Sequence, residues 1–551
     1  MDTDILDVYA RSFRDNHDLP ALTDYGESGT LSYLQLAERI AQIHIFFEKA
    51  GIRPGDKVAL IGKNSARWVT IFMASITYGA VIVPILPDFT PEDAQHIVNH
   101  SDARLLFVQR NIWEAMDVAR MPMLIGVMSL DRREVLSQLD NGVDLNKIIR
   151  GIPRSMKRRY PAGFSQVDIV YEKEPSDTVA VINYTSGTTG FSKGVMLSLG
   201  NLAGNVSYGI SVDLYRPGSR CLSFLPLSHA YGCAFDMLVP LACGAHVTLF
   251  NKIPSPHLLM KAMADVRPNL VVCVPLVLEK IYRKQIVPMI SRPPLSWALS
   301  VPMIDKAIYG QIRRKLVEAF GGEFSQVIVG GAPLNPEVED FLYKIKFPFS
   351  VGYGMTECGP LISFSLYPDF VPTSCGRTLP CMESRISGGG EGEPGEILVR
   401  GQNVMKGYYK NPEATALVLD ADGWLHTGDM GRIDDDGVIF IRGRYKTMIL
   451  TANGQNIYPE EIEAKINNMP FVNESLVVER AGNIVALVYP DYDAADASGI
   501  TDYALREEME KMRTQVNGML APYERIHKVQ LVANEFEKTP KKSIKRYLYN
   551  Q

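Results

Sequence analysis

Ten consecutive residues, Thr185-Ser186-Gly187-Thr188-Thr189-Gly190-Phe191-Ser192-Lys193-Gly194, gather three glycines, five hydroxyls and one lysine. Such a loop can wrap a polyphosphate. Glycines let the backbone approach closely and its N–H groups converge, hydroxyls add donors or bind a metal, and the lysine offsets charge. Val179 to Tyr184 on one side and Val195 to Ser198 on the other read as buried strands, so the loop joins strand to strand. A Walker A loop has the form GxxxxGK[ST] and leads into a helix. Here Ser192 stands where the second glycine belongs, and Gly194 follows the lysine. That excludes a P-loop ATPase.

The ten-residue string, with Tyr184 before it and Val195-Met196-Leu197-Ser198 after it, resembles the adenylation signature of the acyl-adenylate-forming enzymes. That superfamily includes acyl-CoA synthetases, firefly luciferase and peptide-synthetase adenylation domains. The resemblance implies that Thr185, Ser186, Gly187, Thr188, Thr189, Gly190 and Lys193 cradle the phosphates of ATP. It also implies that Thr185 takes part in holding Mg²⁺.

Further segments resemble the same family, in its order. Leu225-Pro226-Leu227-Ser228-His229-Ala230-Tyr231-Gly232 is similar to the segment lining the acyl pocket. Alone, His229 reads as a satisfied structural histidine; the resemblance implies that it positions substrate beside Ala230, Tyr231 and Gly232. A carboxylate attacking phosphorus has no proton to remove, which agrees with positioning and not with general-base work. Gly330-Gly331-Ala332-Pro333-Leu334, after an apolar strand, reads alone as a tight turn and resembles the adenine-side loop. Val351-Gly352-Tyr353-Gly354-Met355-Thr356-Glu357-Cys358-Gly359-Pro360 resembles the second hallmark. There Tyr353 would stack on adenine beside Gly354 and Met355, Thr356 would face the α-phosphate, and Glu357 would hold Mg²⁺. A divalent cation with carboxylate and phosphate ligands offsets the repulsion between ATP and an incoming carboxylate.

Gly423-Trp424-Leu425-His426-Thr427-Gly428-Asp429 resembles the third hallmark, in which the aspartate accepts both ribose hydroxyls. Gly443-Arg444-Tyr445-Lys446 resembles the hinge, with Arg444 at the ribose and Lys446 at the pivot. Many relatives carry an acid after that lysine; this chain has Thr447. Asn453, Gly454 and Gln455 fall in a stretch resembling the one that guides the pantetheine arm of coenzyme A. The family ends with a lysine that contacts the carboxylate and the α-phosphate. The register here puts Ser543 in its place, within Thr539-Pro540-Lys541-Lys542-Ser543-Ile544-Lys545-Arg546. Lys542 is the first substitute, with Lys541 and Lys545 as alternatives. On an extended segment a one-residue shift reverses side-chain direction, so Lys542 needs a bulge or loop to serve. The alternative for all of these lysines is a solvated surface role.

The elements that must carry these segments follow from the remaining sequence. The chain has 551 residues, 46% hydrophobic and 22% charged, and a net charge of −5, which argues against a general nucleic-acid binder. Its seven cysteines lie between Cys221 and Cys381 without a CxxC pair, which indicates neither a zinc site nor a disulfide framework and fits a reduced, cytoplasmic protein. Ile71 to Leu86 is the longest apolar stretch, but Ser75, Thr77, Gly79 and Pro84 break it, so it reads as a buried helix followed by a strand. Met1-Asp2-Thr3-Asp4 has no apolar signal core. Ser32-x-x-Gln35 is a capping-box pattern, and Gly51 stands where that helix must stop. Helix and strand then alternate to about residue 110, which implies a parallel sheet covered on both faces. Residues 140 to 175 read as irregular, with the basic cluster Arg150, Arg154, Lys157, Arg158 and Arg159 in a solvated loop; contact with anionic lipid headgroups is the alternative. Gly390 to Gly395 matches GxGxxG, but a strand follows, so it is a turn. Residues 382 to 445 read as a small β subdomain and the last hundred as a compact α+β unit.

The fold class expected is α/β: an N-terminal domain over residues 1–445 with parallel-type sheets and a small β subdomain, then a mobile α+β domain over residues 446–551. The expected activity is an ATP-dependent, AMP-forming fatty acid–CoA ligase using Mg²⁺ and coenzyme A. Ile308 to Val317 and Val272 to Tyr282 resemble long-chain fatty acyl-CoA synthetases, and no aspartate suited to an α-amino group is evident near residue 230. Two alternatives stand beside it: a ligase that loads a carrier protein, and a non-catalytic acyl or nucleotide sensor. The expected location is cytoplasmic, with peripheral membrane contact through Arg150 to Arg159 as the alternative to a purely solvated cluster.

Overall fold

The computed structural model describes the chain except residues 1–3, 140–141, 186–192, 253–254, 300, 302–303, 389–393, 451–454, 540–542 and 551. An eight-stranded sheet carries the strands of the glycine-rich loop. Its order is Gly407–Tyr408, Lys193–Ser198, Val179–Thr185, Val81–Ile85, Lys57–Ile61, Ala103–Val108, Gly126–Ser129 and Val135–Gln138. The five strands from Val179–Thr185 to Gly126–Ser129 run parallel, and those beyond them pair antiparallel. Buried on both faces, the parallel strands are almost wholly apolar, as such sheets require.

Helices fill the connections. Tyr33–Ala50 starts at a capping box, in which Gln35 N donates to Ser32 Oγ at 3.2 Å and Ser32 N donates to Gln35 Oε1 at 2.9 Å. It ends at Gly51, whose φ of 75° is the left-handed conformation that glycine tolerates best. Ala66–Tyr78 is buried along nearly all its length and leads through Gly79 into Val81–Ile85, as the broken apolar stretch suggests. Two smaller sheets follow the same plan. Pro20–Asp24, His246–Leu249 and Arg220–Ser223 pair in parallel, as do Val271–Cys273, Val327–Val329 and Phe349–Val351. The antiparallel sheet of Met382–Ser387, Gly395–Gly401, Leu425–Ile433 and Ile439–Arg444 is the small β subdomain. A strand does follow the glycine-rich turn near residue 390, most of which lies outside the described residues.

After residue 446 the chain builds a separate core. Val472–Arg480, Asn483–Pro490 and Lys528–Leu531 form a sheet, and the helices Pro459–Ile466 and Asp502–Asn517 cover it. Ile462, Ile466, Val477, Ala486, Leu505 and Val516 form a cluster that shares no residue with the cores of the larger unit.

One expectation fails. Residues 145 to 159 are not a loop but a helix, Leu145–Arg159. Asp144 caps it by accepting from Lys147 N at 2.9 Å, and Leu145, Ile152 and Met156 bury one face. Pro153 and the run of cations hide that apolar stripe from a reading of composition. Among the described residues no helix is long and apolar enough to cross a membrane. All seven cysteines are unpaired thiols.

Candidate active site

Strand pairing assembles the site. Val179–Thr185 and Lys193–Ser198 pair antiparallel with Thr185 opposite Lys193, and Thr185 Oγ1 donates to Lys193 O at 3.5 Å. The two ends of the glycine-rich loop therefore meet. Ser186, Gly187, Thr188, Thr189 and Gly190 lie outside the described residues.

The outer edge of Lys193–Ser198 is closed by Gly407–Tyr408, with Tyr408 opposite Val195. Sequence reasoning passed over Tyr408, yet it joins two of the motifs. Lys193 Nζ sits 4.8 Å from the centre of its ring, and its hydroxyl donates to Glu357 Oε1 at 2.9 Å. Burial pushes the Tyr408 phenol well above its usual range, with the Glu357 charge adding to it, so Tyr408 stays a donor at any working pH. Met405 N donates to Glu357 O at 2.8 Å, which fixes the backbone of the acid as well. Thr356 and Glu357 open a short 3-10 turn, Thr356–Cys358, and both are half-buried.

A second cluster lies in the β subdomain. Asp429 and Arg444 are register partners on Leu425–Ile433 and Ile439–Arg444. Arg444 Nε donates to Asp429 Oδ1 at 3.1 Å, and the Tyr353 hydroxyl donates to Asp429 Oδ2 at 2.7 Å. Asp429 is 5% exposed, whereas the Arg444 side chain is 66% exposed. Burial raises the Asp429 carboxyl above the usual carboxylate range, and Arg444 and Tyr353 work against that rise.

Tyr353 also connects this cluster to a narrow cavity of about 50 Å³, shared with Gly330, Gly331, Gly354, Tyr231 and Phe235. Tyr231 donates to Ile328 O at 3.1 Å, and its ring lies where a Cβ on Gly330 would come within 2.9 Å of Cζ. Gly330 is thus demanded by the close approach of the ring. Ala332 and Pro333 are exposed at the mouth of the same loop. Ala230 and Gly232 are in the helix Ala230–Cys233; a Cβ on Gly232 would come within 2.7 Å of Pro226 O, so the segment folds tightly on itself. His229 is half-buried at the start of that helix, its carbonyl accepting from Cys233 N at 2.8 Å. Met355 N donates to Pro360 O at 2.9 Å and Gly354 is exposed.

Asp236, six residues beyond Ala230, escaped the sequence reading. It is fully buried beside Cys221 and does not line the cavity, so it offers no carboxylate to an α-amino group there.

At the junction of the two units, Lys446 is exposed. The hydroxyl of Thr447 donates to Glu460 Oε1 at 2.7 Å, which ties it to the helix Pro459–Ile466. Asn335 Nδ2 reaches Asn468 Oδ1 at 2.8 Å and Ala464 O at 3.3 Å, which ties the smaller unit to the segment following the Gly330–Gly331 loop. Gln455 is exposed; Asn453, Gly454, Lys541 and Lys542 lie outside the described residues. Ser543 is exposed, its carbonyl accepting from Thr539 N at 2.8 Å. Lys545 Nζ pairs with Glu537 at 3.4 Å, and Arg546 pairs with Glu463 and Glu460. These partners all belong to the smaller unit.

The donor set fits a magnesium ion that keeps phosphate and water ligands. Such sites use one or two protein oxygens rather than a full cage. Glu357 offers a half-buried carboxylate and Thr185 a hydroxyl, and among the described residues no group of three or more His, Cys, Asp or Glu forms a cage.

The AMP-binding enzyme family matches residues 9–409, and the C-terminal domain of AMP-binding enzymes matches residues 446–551. The long-chain-fatty-acid–CoA ligase FadD15 of Mycobacterium bovis is 29% identical over 549 residues, covering 90% of this chain and 86% of that protein. The long-chain-fatty-acid–CoA ligase ACSBG1 of Rattus norvegicus is 28% identical over 81% of this chain, which spans 64% of the rat protein's length. The ATP-bound structure of MatB from Rhodopseudomonas palustris superposes with a TM-score of 0.75 at 25% identity, covering 99% of this chain and 98% of that one.

Proposed function

This chain belongs to the AMP-binding enzyme family and is an AMP-forming acid–CoA ligase; on that premise we propose that it activates a medium- to long-chain fatty acid through an acyl-adenylate. In the first half-reaction a carboxylate oxygen attacks the α-phosphorus of ATP, and the bond to pyrophosphate breaks. In the second, the sulfur of coenzyme A attacks the acyl carbon, AMP leaves, and the thiol proton passes to solvent.

The observation that carries this reading is the shared ring of Tyr408, which holds Lys193 on one contact and Glu357 on another. A cation for the phosphates and an acid for the metal are thereby fixed relative to each other before substrate arrives. Mg²⁺ bound by Glu357 and Thr185 would supply charge neutralisation between the phosphates and the carboxylate. Asp429 and Arg444 take the ribose, Tyr353 stacks on the adenine, and Thr356 faces the α-phosphate. His229 and Tyr231 hold the acyl carboxylate end. Positioning and charge neutralisation do most of the catalytic work, as in other phosphate chemistry.

A fatty acyl chain is supported by the relatives FadD15 and ACSBG1, which are long-chain-fatty-acid–CoA ligases by name. We place the domain boundary at Tyr445–Lys446, with residues 446–551 rotating about Lys446 between the half-reactions. The polar contacts of Asn335 with Asn468 and Ala464 suit an interface that must open.

The test is pyrophosphate and AMP release by purified protein with MgATP, coenzyme A and a fatty-acid panel. Release that depends on the acid and on coenzyme A supports the reading; no release with any acid ends it. Competition between coenzyme A and a carrier protein separates the two acceptor classes. Ser543 favours one second reading, a sensor that binds ATP without chemistry. ATP–pyrophosphate exchange with a fatty acid present excludes it.

A further inference from the structure

The helix Leu145–Arg159 carries six cations and no acid, in a chain of net charge −5. The six are not equivalent. At about 100° per residue, Lys147, Arg150, Arg154, Lys157 and Arg158 fall within an arc of about 100°. All five are exposed, and among the described residues none has an ion pair. Leu145, Ile152 and Met156 occupy the opposite face and are buried. Arg159 lies off the row and, still exposed, pairs with Glu48 at 2.5 Å on the helix Tyr33–Ala50 that supports this one. The helix is therefore fixed mainly by its apolar face, and it presents a row of five cations without an ion pair along about 17 Å.

Leaving five like charges side by side without a carboxylate disfavours the isolated fold through mutual repulsion. A planar anionic partner relieves it. We propose that this face is a docking surface for an anionic lipid bilayer, on which the helix lies with its axis in the plane of the headgroups. Long side chains of Lys and Arg on a single helix face suit a plane of phosphates better than a pocketed protein partner. Position in the fold separates the surface from the chemistry. The helix follows Val135–Gln138, the edge strand five positions from Val179–Thr185, or about 24 Å at the usual strand spacing. A carrier protein delivering its thiol to the glycine-rich loop has no reason to seat there, whereas a membrane that supplies an amphiphilic acid can hold the whole protein at its surface. That motive rests on the fatty-acid reading above; the surface itself rests on the charge row.

The experiment is co-sedimentation of the full-length protein with vesicles of phosphatidylcholine alone and of phosphatidylcholine with phosphatidylserine. Binding is expected only to the anionic vesicles, weakening steeply as salt is raised. Each cation near an anionic surface is worth roughly a factor of five, so the triple change Arg150→Gln, Arg154→Gln, Lys157→Gln is expected to weaken binding on the order of 100-fold. Arg159→Gln keeps the row intact and is expected to bind vesicles like the parent while lowering thermal stability. Circular dichroism and the release of pyrophosphate with a soluble acid report whether the triple variant is folded. Equal binding to both vesicle types overturns the proposal, as does no binding to either. So does a triple variant that is folded and binds anionic vesicles like the parent. Capture by an acidic carrier protein or by RNA with no vesicle binding overturns it in favour of that partner. Vesicle binding needs no ATP or acyl chemistry, so its failure and the failure of the ligase reading are told apart.

Discussion

Asp429 and Arg444 face each other across paired antiparallel strands, and Arg444 Nε donates to the Asp429 carboxylate at 3.1 Å. The buried acid faces an exposed guanidinium. To accept two ribose hydroxyls the carboxylate must be ionised, and burial opposes ionisation while Arg444 favours it. Asp429→Asn is expected to weaken ATP binding about 10- to 100-fold, the range for hydrogen bonds to a charged group. Arg444→Met removes the counter-charge, so the Asp429 carboxyl rises further and its proton is lost only at higher pH. ATP affinity of that variant, measured by calorimetry, is expected to begin falling at a higher pH than the parent's as the solution is acidified.

Tyr408 divides into two functions that substitution can separate. Tyr408→Phe keeps the ring beneath Lys193 and removes the donor to Glu357. ATP–pyrophosphate exchange is expected to drop about 10-fold, with a higher Mg²⁺ requirement. Tyr408→Ala also removes the cation–π contact and is expected to cost a further several-fold. Equal losses in both variants would show that the Lys193 contact contributes nothing.

Gly330 is a packing position. Gly330→Ala sets a Cβ against Tyr231 Cζ at 2.9 Å and Oη at 3.2 Å, forcing the ring to move and straining its bond to Ile328 O. A stability loss of about 1–3 kcal/mol is expected from such overpacking. Tyr231→Ala in the same chain removes the clash, so the double variant should be less destabilised than the sum of the singles. Denaturant unfolding of the four proteins measures it.

Burial pushes the Glu339 carboxyl up to about 7, against an ordinary value of 4.5. Between those values the folded protein holds a proton that the unfolded chain has released, so stability falls as pH rises through the window. Glu339→Gln retains an acceptor for Thr373 N and has no proton to lose. The midpoint of thermal unfolding is expected to fall between about pH 5.5 and about pH 8 in the parent and to fall less in the variant. The full difference corresponds to about 3 kcal/mol at the alkaline end.

What could be read in the chain depended on distance along it. The strand–loop–strand unit around Thr185 and Lys193 is local, as are the capping box at Ser32 and the turn at Asp436-Gly437 that sets Asp429 opposite Arg444. Tyr408 has no local signature; it reaches Lys193 only because a two-residue strand returns to the sheet more than two hundred residues later. The bond from Thr447 to Glu460 joins residues thirteen apart, beyond what a local pattern announces. The helix Leu145–Arg159 was obscured because Pro153 and six cations dominate its composition, although its three buried residues already have helical spacing.

The C-terminal segment yields the sharpest variant series. The family resemblance puts Ser543 at the position of the terminal lysine, and we propose the adjacent Lys542 as its substitute, with Lys541 and Lys545 as alternatives. Lys542→Ala is expected to reduce ATP–pyrophosphate exchange at least 100-fold, because a cation at the attacking carboxylate and α-phosphate acts where charge develops. The same variant should still turn preformed acyl-adenylate and coenzyme A into thioester, since that half-reaction expels AMP and needs no new phosphate bond. Lys545→Ala should leave both half-reactions near the parent. Ser543→Lys places the ammonium in the family's register, and it is expected to rescue exchange in the Lys542→Ala background. If exchange in that background stays at the parent level without rescue, Lys542 is a solvated surface charge and the substitution at Ser543 has been compensated elsewhere.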